Sequence, residues 1–273
     1  MWIALGFIQQ PHEQEWTMED IGGRIFAMHL LKYSKHREAY AYYIWAPKDL
    51  KIIPEEIGNL IHLRCLKIVI QNLTMLQKSL CNLYHLQYII SESPGEPSQP
   101  KVVDFLPSDI NNLSNLRYVK LSKKCISSIC RIGKLKSLRE LNMFDLRDVS
   151  GYRIGELEDM NDLCKLGINC LENVKDAEEA CSAKLCAKRR LTDLTLCWSN
   201  TDSRNTDLDE NVLDNLHPSK CPRNLSIKTY MGESSAIWMN NVNPNFNLEI
   251  IELRDCLECE TLPPFGQLPF LSH

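Results

Sequence analysis

A chain of 273 residues with 44% hydrophobic residues, 24% charged residues and a net charge of −4 has the balance of a folded protein with ample core material. The small acidic excess argues against a general nucleic-acid binder, which needs a basic surplus to neutralise phosphates. No stretch approaches the roughly 18 consecutive apolar residues of a membrane-spanning helix, so no membrane span is expected.

In chain order, Trp2-Ile3-Ala4-Leu5-Gly6-Phe7-Ile8 is short and apolar, without a basic leader or a small-residue cleavage site after it. It reads as part of a folded helix and not as a signal peptide. Residues 32–49, rich in tyrosine and basic side chains, show no period and read as an irregular connector. From residue 50 onward a frame sets in. Ile57, Leu60, Leu63 and Leu66 return at Leu80, Leu83, Leu86 and Ile89, each 23 residues on. After an insertion near 91–101, rich in proline and serine, the frame recurs at Leu106, Ile110, Leu113, Leu116 and Val119. It continues at Ile132, Leu135, Leu138 and Leu141, then 22 residues later at Ile154, Leu157, Met160 and Leu163.

A period of 22 to 23 lies inside the range of leucine-rich repeats. The paired apolar steps put two side chains on one face of a short strand, because strand side chains alternate. Strands are expected at Leu66/Ile68, Ile89, Val119/Leu121, Leu141/Met143, Leu166/Ile168, Leu194/Leu196, Leu225/Ile227 and Ile251/Leu253. One strand per repeat cannot bury its own apolar face, so neighbouring repeats must stack into a parallel sheet. A helical bundle using the same leucine spacing is excluded by the prolines at 54, 107 and 263, which recur mid-frame where a long helix breaks. The fold class is α/β: a leucine-rich-repeat solenoid, or horseshoe, with a short parallel strand per repeat over 50–273, preceded by a small helical remnant. Within it, residues 176–190 read as one helix with Ala177, Ala180, Cys181 and Leu185 on its apolar face. Acids open that helix, and Lys188-Arg189-Arg190 close it as a solvated, dipole-compensating end. The polar, acidic stretch near 199–210 reads as a loop.

Twelve cysteines raise the possibility of a disulfide scaffold. Most occupy or flank repeat positions, as Cys65, Cys81, Cys170 and Cys256 do, where a reduced thiol packs as a small hydrophobe. Cys256 and Cys259 form a lone C-x-x-C with no second pair at zinc spacing, so zinc and redox roles are disfavoured. The glycosylation sequons at Asn72, Asn112 and Asn224 each have leucine in the middle, which the repeat frame generates by itself. A reducing, cytoplasmic setting follows.

Three stretches resemble plant intracellular immune receptors of the coiled-coil, nucleotide-binding, leucine-rich-repeat family. Met1 to Ile8, continuing through Met18-Glu19-Asp20-Ile21-Gly22 to Phe26 and Leu30-Leu31, looks like the winged-helix segment that ends the nucleotide-binding module, making 1–31 its remnant. Ile53–Leu66 and Leu106–Leu121 look like that family's LP-x-x-I-x-x-L-x-x-L-R-x-L-x-L repeats. Leu171-Glu172-Asn173-Val174, Leu194-Thr195-Leu196-Cys197-Trp198, Trp238-Met239 and Leu262-Pro263-Pro264-Phe265-Gly266-Gln267-Leu268-Pro269 follow its later repeats in order. No G-x-x-x-x-G-K-[ST] phosphate loop occurs in the sequence, and the family's Met-His-Asp switch motif is absent too: Met28-His29 is followed by Leu30, in a position where the motif would not fall. The resemblance implies a defence-response recognition scaffold that lacks the nucleotide switch. Its expected partners are a pathogen effector or a guarded host protein, with a nucleotide-binding receptor domain in trans as a second.

The expected partner-binding face is the outward set on the repeat strands: Tyr118, Lys120, Glu140, Asn142, Phe144, Lys165, Asn169, Asp193, Thr195, Lys228, Glu252 and Arg254. Tyr118 and Phe144 are its expected aromatic anchors. No serine or cysteine nucleophile is paired with a histidine in a recognisable motif, so neither an enzyme nor a cofactor or metal is expected. His62 and His85 occupy equivalent repeat positions and are expected to stack as surface residues. Two other classes fit less well. An F-box-type ubiquitin-ligase adaptor needs an F-box-like helical domain within residues 1–50. An extracellular receptor ectodomain needs Gly-x-Ile-Pro steps that no repeat carries. A truncated receptor fragment without function is the remaining alternative.

Overall fold

The computed structural model describes residues 12–18, 26–32, 40–45, 52–53, 55–69, 75–91, 106–200, 205–219, 222–240 and 248–261. Two compact units divide the chain, Met1–Ile129 and Cys130–His273.

In the first unit a six-stranded sheet has its strands in chain order: β1 (His12–Met18), β2 (Phe26–Lys32), β3 (Tyr40–Trp45), β4 (Leu63–Val69), β5 (Tyr88–Ser91) and β6 (Tyr118–Lys120). β2 runs antiparallel to both β1 and β3, and β3 to β6 run parallel. The helical remnant expected before the repeats is therefore corrected at His12–Met18 and Phe26–Lys32, which form an antiparallel strand pair with His12 opposite Lys32 and Met18 opposite Phe26. In the sequence, Phe26, Met28 and Leu30 alternate with Ala27 and His29, a two-residue period that suits a strand. Trp2–Ile8 lies outside the described residues. The connector expected at 32–49 also carries order, because β3 joins the repeat sheet through β4.

The repeat physics is visible in the returns. Each of β4, β5 and β6 is preceded by a 3₁₀ turn, at Glu55–Asn59, Lys78–Asn82 and Ser108–Asn112. The same two backbone bonds then follow each of the last two turns. Leu83 N donates to Leu80 O at 3.1 Å and Leu86 N to Leu83 O at 2.8 Å, as Leu113 N does to Ile110 O at 3.1 Å and Leu116 N to Leu113 O at 2.9 Å. Three-residue leucine spacing thus reads as successive tight turns that bury Leu80, Leu83, Leu86, Ile110, Leu113 and Leu116. Pro107 precedes the third turn at φ −62°, its own preferred value, in a position where no backbone donor is needed. A short helix, α1 (Lys123–Ser127), follows β6 and is capped by the Ser122 side chain.

The second unit holds a five-stranded, all-parallel sheet: β7 (Glu140–Asp145), β8 (Lys165–Asn169), β9 (Asp193–Cys197), β10 (Asn224–Lys228) and β11 (Ile250–Arg254). With β4 to β6, all eight expected repeat strands are present. Two inward rows run across the sheet. Leu141, Leu166, Leu194 and Leu225 form one, and Phe144, Ile168, Leu196 and Ile227 the other, all buried.

Phe144 is a correction, because the alternation Leu141/Met143 predicted Met143 inward and Phe144 outward. Pairing slips between Leu141 and Phe144, so that Asn142 and Met143 together stand opposite Gly167. This bulge turns Phe144 inward, to 1% exposure. A bulge crowds the partner strand, and Gly167 is the residue that admits it. A Cβ there would lie 2.2 Å from the Asn142 carbonyl oxygen.

The expected single helix over 176–190 is also corrected. It begins as read, with the Asp176 side chain accepting from Glu179 N at 2.8 Å, but α2 covers only Ala177–Cys181. Lys184 then takes a left-handed conformation at φ 46°, the stop used at helix ends, and a 3₁₀ turn at Leu185–Ala187 follows. The break returns the chain to the sheet in time for β9, burying Ala180, Ala183, Leu185 and Leu191. Cys181 is exposed, so it leaves the apolar face expected for it. Lys188, expected as a solvated end, is 1% exposed, and its Nζ donates to Leu157 O at 2.6 Å. Burial pushes its pKa down to about 8. Of the loop expected near 199–210, the end belongs to α3 (Thr206–Asn215), capped by Asn205 through Leu208 N at 3.2 Å. A last short helix, α4 (Ile237–Asn240), is tied back where Ile237 N donates to Asp214 Oδ1 at 2.7 Å.

Candidate functional site

Each unit presents the outward rows of its parallel strands. In the first unit the register lines up Cys65, Tyr88 and Tyr118 in one row and Lys67, Ile90 and Lys120 in the next. Tyr88 and Tyr118 stack, with ring centroids 5.2 Å apart and planes 10° from parallel. Tyr118 and Lys120 were legible in the sequence. Tyr88 and Lys67 were not singled out, although the 23-residue step from Lys67 to Ile90 and the Tyr88/Tyr118 equivalence follow from the same frame.

In the second unit three outward rows form. The first runs Glu140, Lys165, Asp193, Asn224. Lys165 Nζ lies 4.0 Å from Glu140 Oε1, while Asp193 accepts from Asn224 Nδ2 at 2.7 Å and from the Thr192 hydroxyl at 2.6 Å. The middle row runs Gly167, Thr195, Ser226, Glu252. The last runs Asp145, Asn169, Cys197, Lys228, Arg254, with Asn169 Nδ2 donating to Asp145 Oδ1 at 2.7 Å. Glu252 is the hub of the C-terminal end. It accepts from the Ser226 hydroxyl at 2.8 Å and pairs with Lys228 Nζ at 3.6 Å and Arg254 Nη2 at 2.5 Å. The Ser226 hydrogen bond, then the Lys228 and Arg254 charges, hold its carboxyl below the usual glutamate range.

Of the expected face residues, Glu140, Lys165, Asn169, Asp193, Thr195, Lys228, Glu252 and Arg254 fall in these rows, Asn142 is exposed at the bulge, and Phe144 is in the core. Asp145, Cys197, Asn224 and Ser226 belong to the same rows and were missed. Ser226 sits between Leu225 and Ile227, and the alternation used for Thr195 would have found it.

The sulfur chemistry is quiet. The eleven described cysteines are free thiols. Burial pushes the Cys65, Cys81 and Cys170 thiols up to about 11 and raises those of Cys125, Cys256 and Cys259 as well. Protonated thiols are poor nucleophiles and poor metal ligands. In the C-x-x-C, Cys256 Sγ lies 3.5 Å from Arg254 O and Cys259 Sγ 3.5 Å from Thr261 O, each thiol turned to its own carbonyl. Among the described residues no group of three histidine, cysteine or carboxylate side chains is arranged to hold a metal. His62 and His85 stack at 6.3 Å and 13° as exposed residues of the return turns. No helix among the described residues is long and apolar enough to cross a membrane.

Stacked parallel strands, 3₁₀ returns and a buried leucine frame define a leucine-rich-repeat chain. Residues 154–273 match the family described as R13L1/DRL21 LRRs. Relatives include RGA1 of Solanum bulbocastanum, 35% identical over 142 residues (52% of this chain and 14% of that protein). RGA2 of the same species is 33% identical over 141 residues (51% and 14%), and RPP13-like protein 1 of Arabidopsis thaliana is 34% identical over 133 residues (45% and 12%). All three carry disease-resistance names. The chain thus has a leucine-rich-repeat fold and is similar over about half its length to plant disease-resistance proteins, and it spans about one seventh of the length of the curated relatives it matches.

Proposed function

We propose that this chain is a protein-recognition scaffold in plant defence, contacting a pathogen protein or a guarded host protein through the outward rows of its repeat strands. The observation that supports the reading is the outward surface of the parallel strands in the two sheets, with residues 154–273 similar to the repeats of disease-resistance proteins. It consists of polar and aromatic side chains fixed in register, the layout repeat arrays offer to protein partners. Nucleotide switching is no part of what these residues do in this reading, since the sequence contains no phosphate-loop motif. Nor is catalysis, and thiols left unbridged suit a reducing cytoplasmic setting.

Proximity labelling in leaf tissue tests the reading. The intact chain is compared with variants reversed on the first unit's face (Lys120→Glu) and on the second unit's face (Lys165→Glu with Lys228→Glu). Loss of a specific labelled protein in either variant, with folding intact by circular dichroism, supports recognition through these rows. Labelling unchanged in both overturns it. Stoichiometric ATP or ADP binding by the purified chain would remove the second part of the proposal.

A further inference from the structure

We propose that the outer edge of β11 joins the same edge of a second copy of this chain, antiparallel about a two-fold axis at Glu252. The inference concerns the second unit alone and does not depend on recognition by the outward rows.

The core rows of this sheet are covered except at β11. Leu141, Leu166, Leu194 and Leu225 are at most 2% exposed, and so are Phe144, Ile168, Leu196 and Ile227. The register carries the two rows on to Ile251 and Leu253. There the cover fails: Ile251 is partly exposed and Leu253 is 36% exposed. Beside them Ile250 is 56% and Leu257 88% exposed. β11 stands last in the sheet, with β10 as its one strand partner among the described residues. Its outer edge therefore sets backbone donors and acceptors beside uncovered apolar side chains, the combination that templates a further strand. The interior repeats of the sheet meet the same need with the strand of the next repeat.

Residue order selects a second copy as the occupant. β11 reads Ile250-Ile251-Glu252-Leu253-Arg254, and its inward pair, Ile251 and Leu253, is symmetric about Glu252. Antiparallel pairing about that residue sets each Ile251 against the copy's Leu253, so both core rows run through the junction on one side of the sheet. On the outward side it sets Ile250 against the copy's Arg254. Ile250 is the exception in its row, where Glu140, Lys165, Asp193 and Asn224 are polar. An arginine stem covers such an apolar residue while its charge stays in water. The two Glu252 carboxylates meet at the axis, where like charges alone would repel. Each, however, already accepts from the Ser226 hydroxyl at 2.8 Å and pairs with Lys228 and Arg254 of its own chain. Two cations for each carboxylate offset the repulsion. A strand from an unrelated protein could fill the backbone edge, but nothing in it would have to match this symmetry.

Sedimentation velocity on the full chain under reductant, over the micromolar range, tests the proposal. A monomer–dimer equilibrium is expected. Leu253→Asp weakens the dimer roughly tenfold or more. Ile250→Lys also weakens it, because it brings a like charge to Arg254, whereas Ile250→Glu keeps or tightens it. Thermal melts accompany each variant, and the exposed Ile250 pair decides the matter if Leu253→Asp fails to fold. Glu252→Cys, oxidised with glutathione disulfide, is expected to cross-link to its own copy through position 252. Opposed residues of an antiparallel pair lie about 4.5–5.5 Å apart between Cα atoms, within disulfide reach, and peptide mapping separates that bond from those of the other thiols. A monomer at every concentration overturns the inference and means that the edge is covered within the chain or by a different protein. A dimer indifferent to Leu253→Asp and Ile250→Lys, equal responses to Ile250→Lys and Ile250→Glu, or no cross-link at position 252 would each overturn it as well.

Discussion

The two units run the same apolar frame beneath different outer surfaces. In both, leucines three residues apart close successive tight turns and a strand follows that buries alternate side chains. Outside that frame they diverge. The first unit reaches its parallel strands through an antiparallel lead-in, β1 to β3, and presents tyrosines and lysines. The second is parallel throughout, inserts short helices into its returns and presents a charge-paired surface. The difference teaches that stacking fixes only the inward positions: a repeat with no partner of its own for its apolar row must supply the same row as its neighbour. The outward positions are released to serve a surface.

The largest test of a shared frame is Leu86→Ala in the first unit against Leu196→Ala in the second, both fully buried. Each is expected to cost about 2–5 kcal/mol in urea denaturation followed by circular dichroism. A loss in one and not in the other would break the equivalence. Next come the glycines where one repeat's backbone touches the next. A Cβ on Gly58 would stand 2.6 Å from Ser79 O, and one on Gly167 2.2 Å from Asn142 O. Gly58→Ala and Gly167→Ala are each expected to lose about 1–3 kcal/mol. Gly155→Ala, whose nearest obstacle is the Ser182 hydroxyl at 3.2 Å, should lose clearly less in the same melts.

Lys188 separates the units further, because the second one buries an amine under its turns. Burial holds its pKa at about 8, below the 10.5 of a free lysine. The unfolded chain therefore binds that proton more tightly, and stability rises with pH between about 8 and 10.5 and is flat with respect to this group below about 8. The raised thiols of Cys65, Cys81 and Cys170 pull stability down over the upper part of the same window in both chains, so the measurement is the difference: thermal melts should show the native chain gaining about 1–2 kcal/mol on Lys188→Met as pH rises from about 8 to 10.5. A Lys188→Met variant with the same slope would place the titration elsewhere. The smallest effect is expected at exposed ion pairs, one from each unit: Lys78 with Asp109 at 3.3 Å and Lys136 with Asp159 at 2.7 Å. Replacing either lysine by alanine should change stability by about 0.5 kcal/mol or less; a larger loss would mean the surface pairs help hold the repeats in register.

The sequence by itself determined the repeat strands and their inward rows, because burial on a two-residue alternation leaves its period in the residue order. Leu166/Ile168, Leu194/Leu196 and Leu225/Ile227 are inward as the alternation demands. The stacking of His62 on His85 was legible for the same reason, since equal repeat positions become neighbours in space. Tertiary structure decided the rest. Leu-Asn-Met-Phe-Asp alternates locally like any strand, and only pairing with a neighbour that offers Gly167 reveals the bulge that buries Phe144. The stretch from Asp176 to Arg190 has helical periodicity throughout, yet the chain must turn at Lys184 to reach β9. Lys188 has the charge of a surface residue, and only the carbonyl of Leu157, thirty-one residues away, makes its burial tolerable. Local pattern reports which side of an element faces the core; where two repeats meet, the closeness of their backbones has the final word.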